Sequence, residues 1–341
     1  MHLLIDVRTS SPTDIPNLYY GEMWADIWKT HHPHDRLTFL AYTGDPVDEK
    51  YECLFIDRNW WVLEKKKIAS HEYGPDRVIS FSRLPSIDKS IPLILHIHDL
   101  TSHLYPDLSV HIMKRKYGEY TYKKLLKSAR HIIIPHIDIG RELWEIYGID
   151  ESRMSVIPYL SPEDRVSQRE KSILPHGISG NYYITEGTPG EEWNPIGIIQ
   201  AYTEYIQKKN GVGSLIIIGD IGDILGSITP LIRSLDMIAS IKIVWVLSKA
   251  DTNILYAHAT GWIYAGYHYS RWASVSRAAW YGIPLFLSDI VWLRDYSGTF
   301  FHPNHTDTLS TILSAWSTKS IELKKPNNTH IVEVYTRIIA E

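Results

Sequence analysis

The chain has a single cysteine, Cys53, among 341 residues. One cysteine excludes an intrachain disulfide framework and any multi-cysteine zinc site, and it fits a reducing compartment. Long apolar runs are missing too, since no uncharged stretch approaches the ~20 residues a membrane span requires. The opening MHLLIDVRTS has no basic segment followed by a long apolar run, so no secretory leader is expected there. Neither charge dominates: 35 Lys and Arg stand against 39 Asp and Glu, a formal net charge of −4 scattered along the chain. That balance gives no sign of a nucleic-acid binder. The densest basic cluster, MKRKYGEYTYKK (113–124), reads first as a solvated helix face and second as a contact for phosphates or acidic headgroups. The expectation is a soluble, cytoplasmic protein with at most peripheral membrane contact. Several catalytic signatures are also missing. There is no Gly-x-Ser-x-Gly, no Asp-x-Asp after a strand, and GDIGDILG (219–226) lacks the Lys-Ser/Thr of a phosphate loop.

What is present is a long alternation of short apolar runs and amphipathic ones. Apolar residues make up 44% of the chain, enough for a sizeable core, and the length suits two domains. The pattern predicts strands at 2–7, 37–42, 52–56, 77–81, 93–98, 131–135 and 154–159. Helices fall at 18–31, 111–129 and 138–147, the last stopped by Gly148. Residues 161–180 are polar, aperiodic and bear Pro and Gly, as a linker would. The alternation then restarts with strands at 181–187, 214–220, 241–247, 261–266 and 284–288, and helices at 194–209, 227–239, 251–259 and 272–281. A last helix, 327–341, sets Val332, Val334, Tyr335, Ile338 and Ile339 largely on one side.

This pattern is that of an α/β protein with two doubly wound, Rossmann-like parallel-sheet domains facing one another. The expected boundaries are 1–160, a linker at 161–180, 181–326, and a terminal helix 327–341 packing back toward the first domain. Ligands of such sheets bind beyond the carboxyl ends of the strands, so the loops after 7, 98, 187, 220, 247 and 266 are the places to look for chemistry. His98 and Asp99 stand at one of these ends, where a His–Asp pair can orient an imidazole or exchange a proton. His96, His98 and His103, with His131 and His136, also permit a metal reading. It lacks further ligands on other strand ends and is set aside. Asn194–Pro195 opens a helix whose free N–H groups would attract an anion. The 12 Trp and 22 Tyr could stack on sugar rings, although many of them must be core.

Four segments of the second half resemble the retaining GT-B glycosyltransferases of the family 4 (group 1) type, in order and spacing. They are YYITEGTPGEEWNPIGIIQAY, LIIIGD, IKIVWVLSKADTNILYAHATGWIYAG and AAWYGIPLFLSDIVWLRDYSGTFFHPNHTDTL. In the first half LILHIHDL is similar to the family's His-Asp turn, and ARHIIIPHIDIGRELWEIYGIDESRMSVIPYL to its exit strand-helix-strand. The resemblance implies a GT-B fold and transfer of a sugar from a nucleotide-sugar donor to a polysaccharide or lipid-linked glycan. It also implies retention of configuration without a metal or other cofactor, with a partner glycosyltransferase as a further candidate contact. By the same resemblance His98 and Asp99 would border the reacting sugar. The donor would be held among Gly187, Asn194, Gly219, Lys249, His268, Tyr269, Arg271 and Arg277.

The motif residues depart from the family at the donor. Its Arg and Lys before the helix match Glu192 and Trp193 here, with Asn194 kept. Its two Glu residues, which flank the donor sugar and its ribose, match Tyr269 and Arg277. The glycine-rich turn after the first strand retains Gly21 alone. Two readings follow. In one, Arg277, aided by Arg271, Lys249 and His268, supplies the missing phosphate cation. In the other, the chain is a catalytically degenerate GT-B protein in which Glu192, Trp193, Tyr269 and Trp272 form a glycan- or protein-binding surface.

Overall fold

A computed structural model describes residues 1–8, 15–57, 74–82, 90–98, 100, 112–158, 174, 177–187, 193–208, 210–219, 221–245, 248–267, 272–294, 296–305, 307–316 and 328–340. The chain divides into two compact units, Met1–Ser161 with Pro326–Glu341, and Pro162–Lys325.

The first unit is built on strands β1 (His2–Asp6), β2 (Arg36–Tyr42), β3 (Glu52–Ile56), β4 (Arg77–Ser80), β5 (Leu93–His96), β6 (His131–Ile134) and β7 (Met154–Val156). They form one sheet in the order β3-β2-β1-β4-β5-β6-β7. The pairings are parallel throughout, with Ile5 opposite Phe39 on one side and Ile79 on the other. Parallel strands are covered on both faces, which is why β1 reads as continuous apolar residues and why Leu3, Leu4 and Ile5 are fully buried. Three helices are interleaved: α1 (Ile15–His31), α2 (Ile112–Ser128) and α3 (Ile137–Tyr147). A ring nitrogen of His136 accepts from the Asp138 N–H to cap the start of α3. Gly148, at φ 65°, closes its end by donating to the Trp144 carbonyl at 2.9 Å.

The second unit has strands β8 (Tyr182–Glu186), β9 (Ser214–Ile218), β10 (Ile241–Val244), β11 (Gly261–Tyr264), β12 (Leu285–Ser288) and β13 (Thr299–Phe301). Their order is β10-β9-β8-β11-β12-β13, again parallel. Helices α4 (Pro195–Lys208), α5 (Leu225–Ser234), α6 (Lys249–His258), α7 (Trp272–Tyr281) and α8 (Asp307–Ala315) are interleaved with the strands. Several expected elements are shorter than their apolar pattern, among them β5, β7, β9, β10, β11 and α5. β9 stops at Ile218 because Gly219 turns to φ 109°, and α5 stops at Ser234 because Asp236 takes φ 55°. The strand β13 and helix α8 lie in a closing segment whose periodicity assigned neither.

The terminal helix α9 (Asn328–Ala340) belongs to the first unit. It buries Ile331, Val332, Tyr335, Ile338 and Ile339. The Tyr335 ring lies 5.5 Å from that of Trp24 in an edge contact, and Trp24 stacks on Trp28 at 5.0 Å. The Tyr335 hydroxyl shares a 2.5 Å hydrogen bond with Nε2 of the wholly buried His96. Much of the aromatic content is therefore core: Trp24, Trp28, Trp193, Trp262 and Tyr335 are all buried. No helix among the described residues is long and apolar enough to cross a membrane.

Both sheets have a point where the strand order reverses. In the first unit it falls between β1 and β4, and in the second between β8 and β11. Loops leaving neighbouring strands there run to opposite faces of the sheet, which opens a crevice at the carboxyl ends.

Candidate functional site

At the reversal in the second sheet, β8 ends on the half-buried carboxylate of Glu186. It accepts hydrogen bonds from the hydroxyls of Tyr256, on α6, and Ser274, on α7. Burial, and then the neighbouring carboxylate, push the Tyr256 hydroxyl far above its ordinary pKa, so it remains a donor. On the face of the same ring, the guanidinium carbon of Arg277 lies 5.5 Å from the centroid. Tyr256 thus has an acidic group at its hydroxyl and a basic group over its ring. Sequence reasoning found Arg277 but missed the other three. Glu186 had one signal, a charged residue closing an otherwise apolar strand. Tyr256 and Ser274 had none, because a Tyr and a Ser on amphipathic helices look like ordinary packing.

Next to this group the backbones of β8 and β9 come close together. A Cβ on Gly219 would sit 2.9 Å from the Gly187 carbonyl oxygen, at a φ of 109°. A Cβ on Gly187 would fall 2.3 Å from Ile221 and 3.1 Å from the Trp193 ring. Both glycines are therefore required by the packing of the two strand exits. The indole of Trp193 is fully buried in that packing, which removes it from the stacking surface considered above.

Asn194 has a left-handed backbone, φ 54°, and a side chain engaged at both ends. Its Oδ1 accepts from the Gly197 N–H at 3.2 Å, and its Nδ2 donates to the Pro303 carbonyl at 2.9 Å. It caps α4 and ties that helix to the turn after β13. With Pro195 lacking an N–H and Gly197 engaged by Asn194, the Ile196 N–H is the one left in the opening turn for an anion.

In the first unit the reversal point holds a closed polar cluster. Arg8 forks onto Asp6 through two 2.8 Å bonds, Ser80 donates to Asp6 at 3.0 Å, and all three side chains are buried. His98, at the exit of β5, packs edge-on to Tyr20 at 5.6 Å and nearly parallel to His96 at 5.1 Å. Burial, together with His98, holds His96 well below the ordinary histidine pKa, so the ring is neutral. His131 bonds Ser155 at 2.9 Å, away from this stack. Among the described residues no three His, Cys, Asp or Glu side chains gather as a metal site would need. Asp99, His268, Tyr269 and Arg271 lie outside the described residues, as does Glu192. Of Lys249, the backbone opens α6 behind the Ser248 cap.

No protein-family model matches the chain, and no curated protein is similar to it in sequence. Solved structures are similar in fold. The Anabaena protein Alr3699/HepE, in complex with UDP and glucose, superposes with a TM-score of 0.70 at 11% identity, over 100% of this chain and 99% of that one. The pneumococcal O-GlcNAc transferase GtfA, in complex with UDP and GlcNAc, gives 0.67 at 9% identity, over 100% and 98%. WaaG, a glycosyltransferase involved in lipopolysaccharide biosynthesis, gives 0.65 at 13% identity, over 100% and 95%. Two parallel-sheet domains of seven and six strands with interleaved helices, matched along their whole length by these structures, define the GT-B fold. This chain has that fold.

Proposed function

We propose that the protein is a glycosyltransferase that moves a sugar from a nucleoside diphosphate donor. The observation that carries this reading is the pairing of Glu186 and Arg277 on one tyrosine, Tyr256, at the reversal point of the second sheet. Crevices at that position are where open α/β sheets take up nucleotides. A guanidinium there offers the forked donors that a diphosphate requires. Two similar solved structures carry UDP with a sugar, which supports the same donor class for this chain.

In this reading Arg277 binds the donor diphosphate, with Arg271, Lys249 and His268 as further cations and the Ile196 N–H of α4 as a backbone contact. Gly187, Gly219 and Asn194 shape the loops around the donor, beside Tyr269. His98 and Asp99 carry the catalytic assignment at the exit of β5. Transfer follows the family 4 course, retaining and without a metal, and the acceptor is a polysaccharide or a lipid-linked glycan. Binding energy from the protein's own cations then stabilises the leaving diphosphate as charge develops on it.

Calorimetric titration with UDP, GDP and ADP and their sugar conjugates tests the reading. The expected result is saturable binding of one nucleotide, weakened about tenfold or more by Arg277→Ala. No binding by any of them at millimolar concentration would remove the donor site and the enzyme assignment together. With the donor known, the anomer of the product and its formation in the presence of a chelator test retention and metal independence.

A further inference from the structure

The ring of His98 lies beyond His96, the last residue of β5, so its direction depends on the groups packed around it. Three rings are in contact with it. Tyr20, on α1, meets it edge-on at 5.6 Å, Phe81 lies at 6.3 Å with the planes 24° apart, and His96 lies at 5.1 Å with the planes 28° apart. Tyr20 and Phe81 also touch each other at 5.4 Å and each touches His96, at 5.5 and 5.1 Å. The backbone of α1 is pressed against this group: a Cβ on Gly21 would fall 2.4 Å from Val7 and 3.4 Å from the Phe81 ring. Two of the three walls are therefore seated by close packing.

The third wall is polar. His96 is 2% exposed, and among the described residues its Nδ1 has no hydrogen-bond partner. Its Nε2 shares the 2.5 Å bond with the hydroxyl of Tyr335, a residue 239 positions away on the terminal helix α9. The two rings are within 19° of parallel. A buried imidazole with one polar contact takes its orientation and its tautomer from that contact. Without the Tyr335 hydroxyl both ring nitrogens of His96 would be buried and unpaired, and the ring could turn over against His98. Because burial keeps His96 neutral, the same ring does not set a positive charge against His98.

We infer that Tyr335 is a positioning residue for sugar transfer: its hydroxyl fixes the His96 ring against which His98 is set, so the catalytic end of β5 is complete only with α9 in place. This rests on the glycosyltransferase reading and on His98 as its catalytic group. It assigns the terminal helix a part in the chemistry beyond closing the core of the first unit.

The test follows release of nucleoside diphosphate from UDP-, GDP- and ADP-sugars by the full chain, with donor binding measured separately by calorimetry. Tyr335→Phe keeps the ring that packs on Trp24 and removes only the hydroxyl. It is expected to lower kcat about 10- to 100-fold, the cost of a misplaced group, with donor affinity unchanged. Thr336→Val is the control. It removes the 2.9 Å bond that the next residue of α9 shares with His32, a ring that stacks on Trp28 instead, and should leave kcat as in wild type. In a His96→Phe background, itself lowered in kcat, Tyr335→Phe should add no further loss, since the two act as one unit.

A Tyr335→Phe protein with wild-type kcat overturns the inference and leaves the glycosyltransferase reading standing. So does an equal fall in Thr336→Val, which would reduce the effect to docking of the helix, and so does an additive loss in the double variant. If Tyr335→Phe does not fold, His96→Phe decides alone, and an unchanged kcat there overturns the inference. A wild type that neither binds nor cleaves any of the nucleotide sugars overturns both readings.

Discussion

Arg8 and Asp6 form a two-pronged ion pair inside the first unit, with Nε and one terminal nitrogen of the guanidinium each 2.8 Å from a carboxylate oxygen. Both side chains are almost wholly removed from solvent, 4% and 3% exposed. Ser80, from β4, and the Arg8 backbone N–H also donate to the same carboxylate. A pair at this depth is sensitive to the loss of one member, because the survivor stays charged without its partner.

Arg8→Met is therefore expected to destabilise the protein by about 3–5 kcal/mol, through an uncompensated Asp6. Replacing both members, Asp6→Leu with Arg8→Met, should recover a large part of that loss. Urea unfolding of the two variants measures the difference. Equal stability of Arg8→Met and wild type would show that the pair is not held as described.

Gly219→Ala should cost about 1–3 kcal/mol, the range for a residue forced into a sparsely populated backbone region. The Cβ meets the Gly187 carbonyl at 2.9 Å, and φ is 109° at that residue. Gly226→Ala is the control, since nothing lies within 4 Å of the Cβ it would gain. Thermal melts of the two variants should separate clearly.

His96 links folding to pH. Its folded pKa is depressed below the ordinary value of 6.5 by burial and by His98. The unfolded chain takes up a proton at His96 below 6.5, while the folded ring resists it. The stability contributed by neutral His96 is present above that pH and is lost as pH falls below it, by about 1.4 kcal/mol per pH unit while the folded ring stays neutral. Denaturant unfolding at pH 7.5 and 5.5 should show the fall, and His96→Leu should flatten it. A variant with the same slope as wild type would assign the acid sensitivity to other groups.

Cys53, on β3, should be a slow thiol. Burial raises its pKa from 9.0 to about 12, which lowers the reactive thiolate fraction at pH 8 by roughly a thousandfold. Alkylation of the native protein is expected to lag far behind that of the urea-unfolded chain. Comparable rates would mean that the thiol is open to solvent.

The alternation of strand and helix was legible in the sequence because it rests on local rules. Continuous apolar runs such as LIIIGD suit strands covered on both faces, and Gly148 ends α3 because a left-handed residue costs glycine little. Where the apolar pattern overshot, a single backbone dihedral decided, as at Gly219 and Asp236. β13 escaped notice because three residues, Thr299–Phe301, are too few to show a period.

The candidate site divides along the same line. Arg277 could be singled out by its place in a motif, and Gly187 and Gly219 by their places at strand ends. What those residues do there was set by neighbours remote in sequence. Ile221 and Trp193 crowd Gly187, and Pro303 engages the Asn194 side chain 109 residues away. Glu186 meets Tyr256 and Ser274 across 70 and 88 residues, a contact that no periodicity encodes. The order of strands puts β8 beside β11, and only that adjacency brings a carboxylate from one and the helix following the other to the same ring.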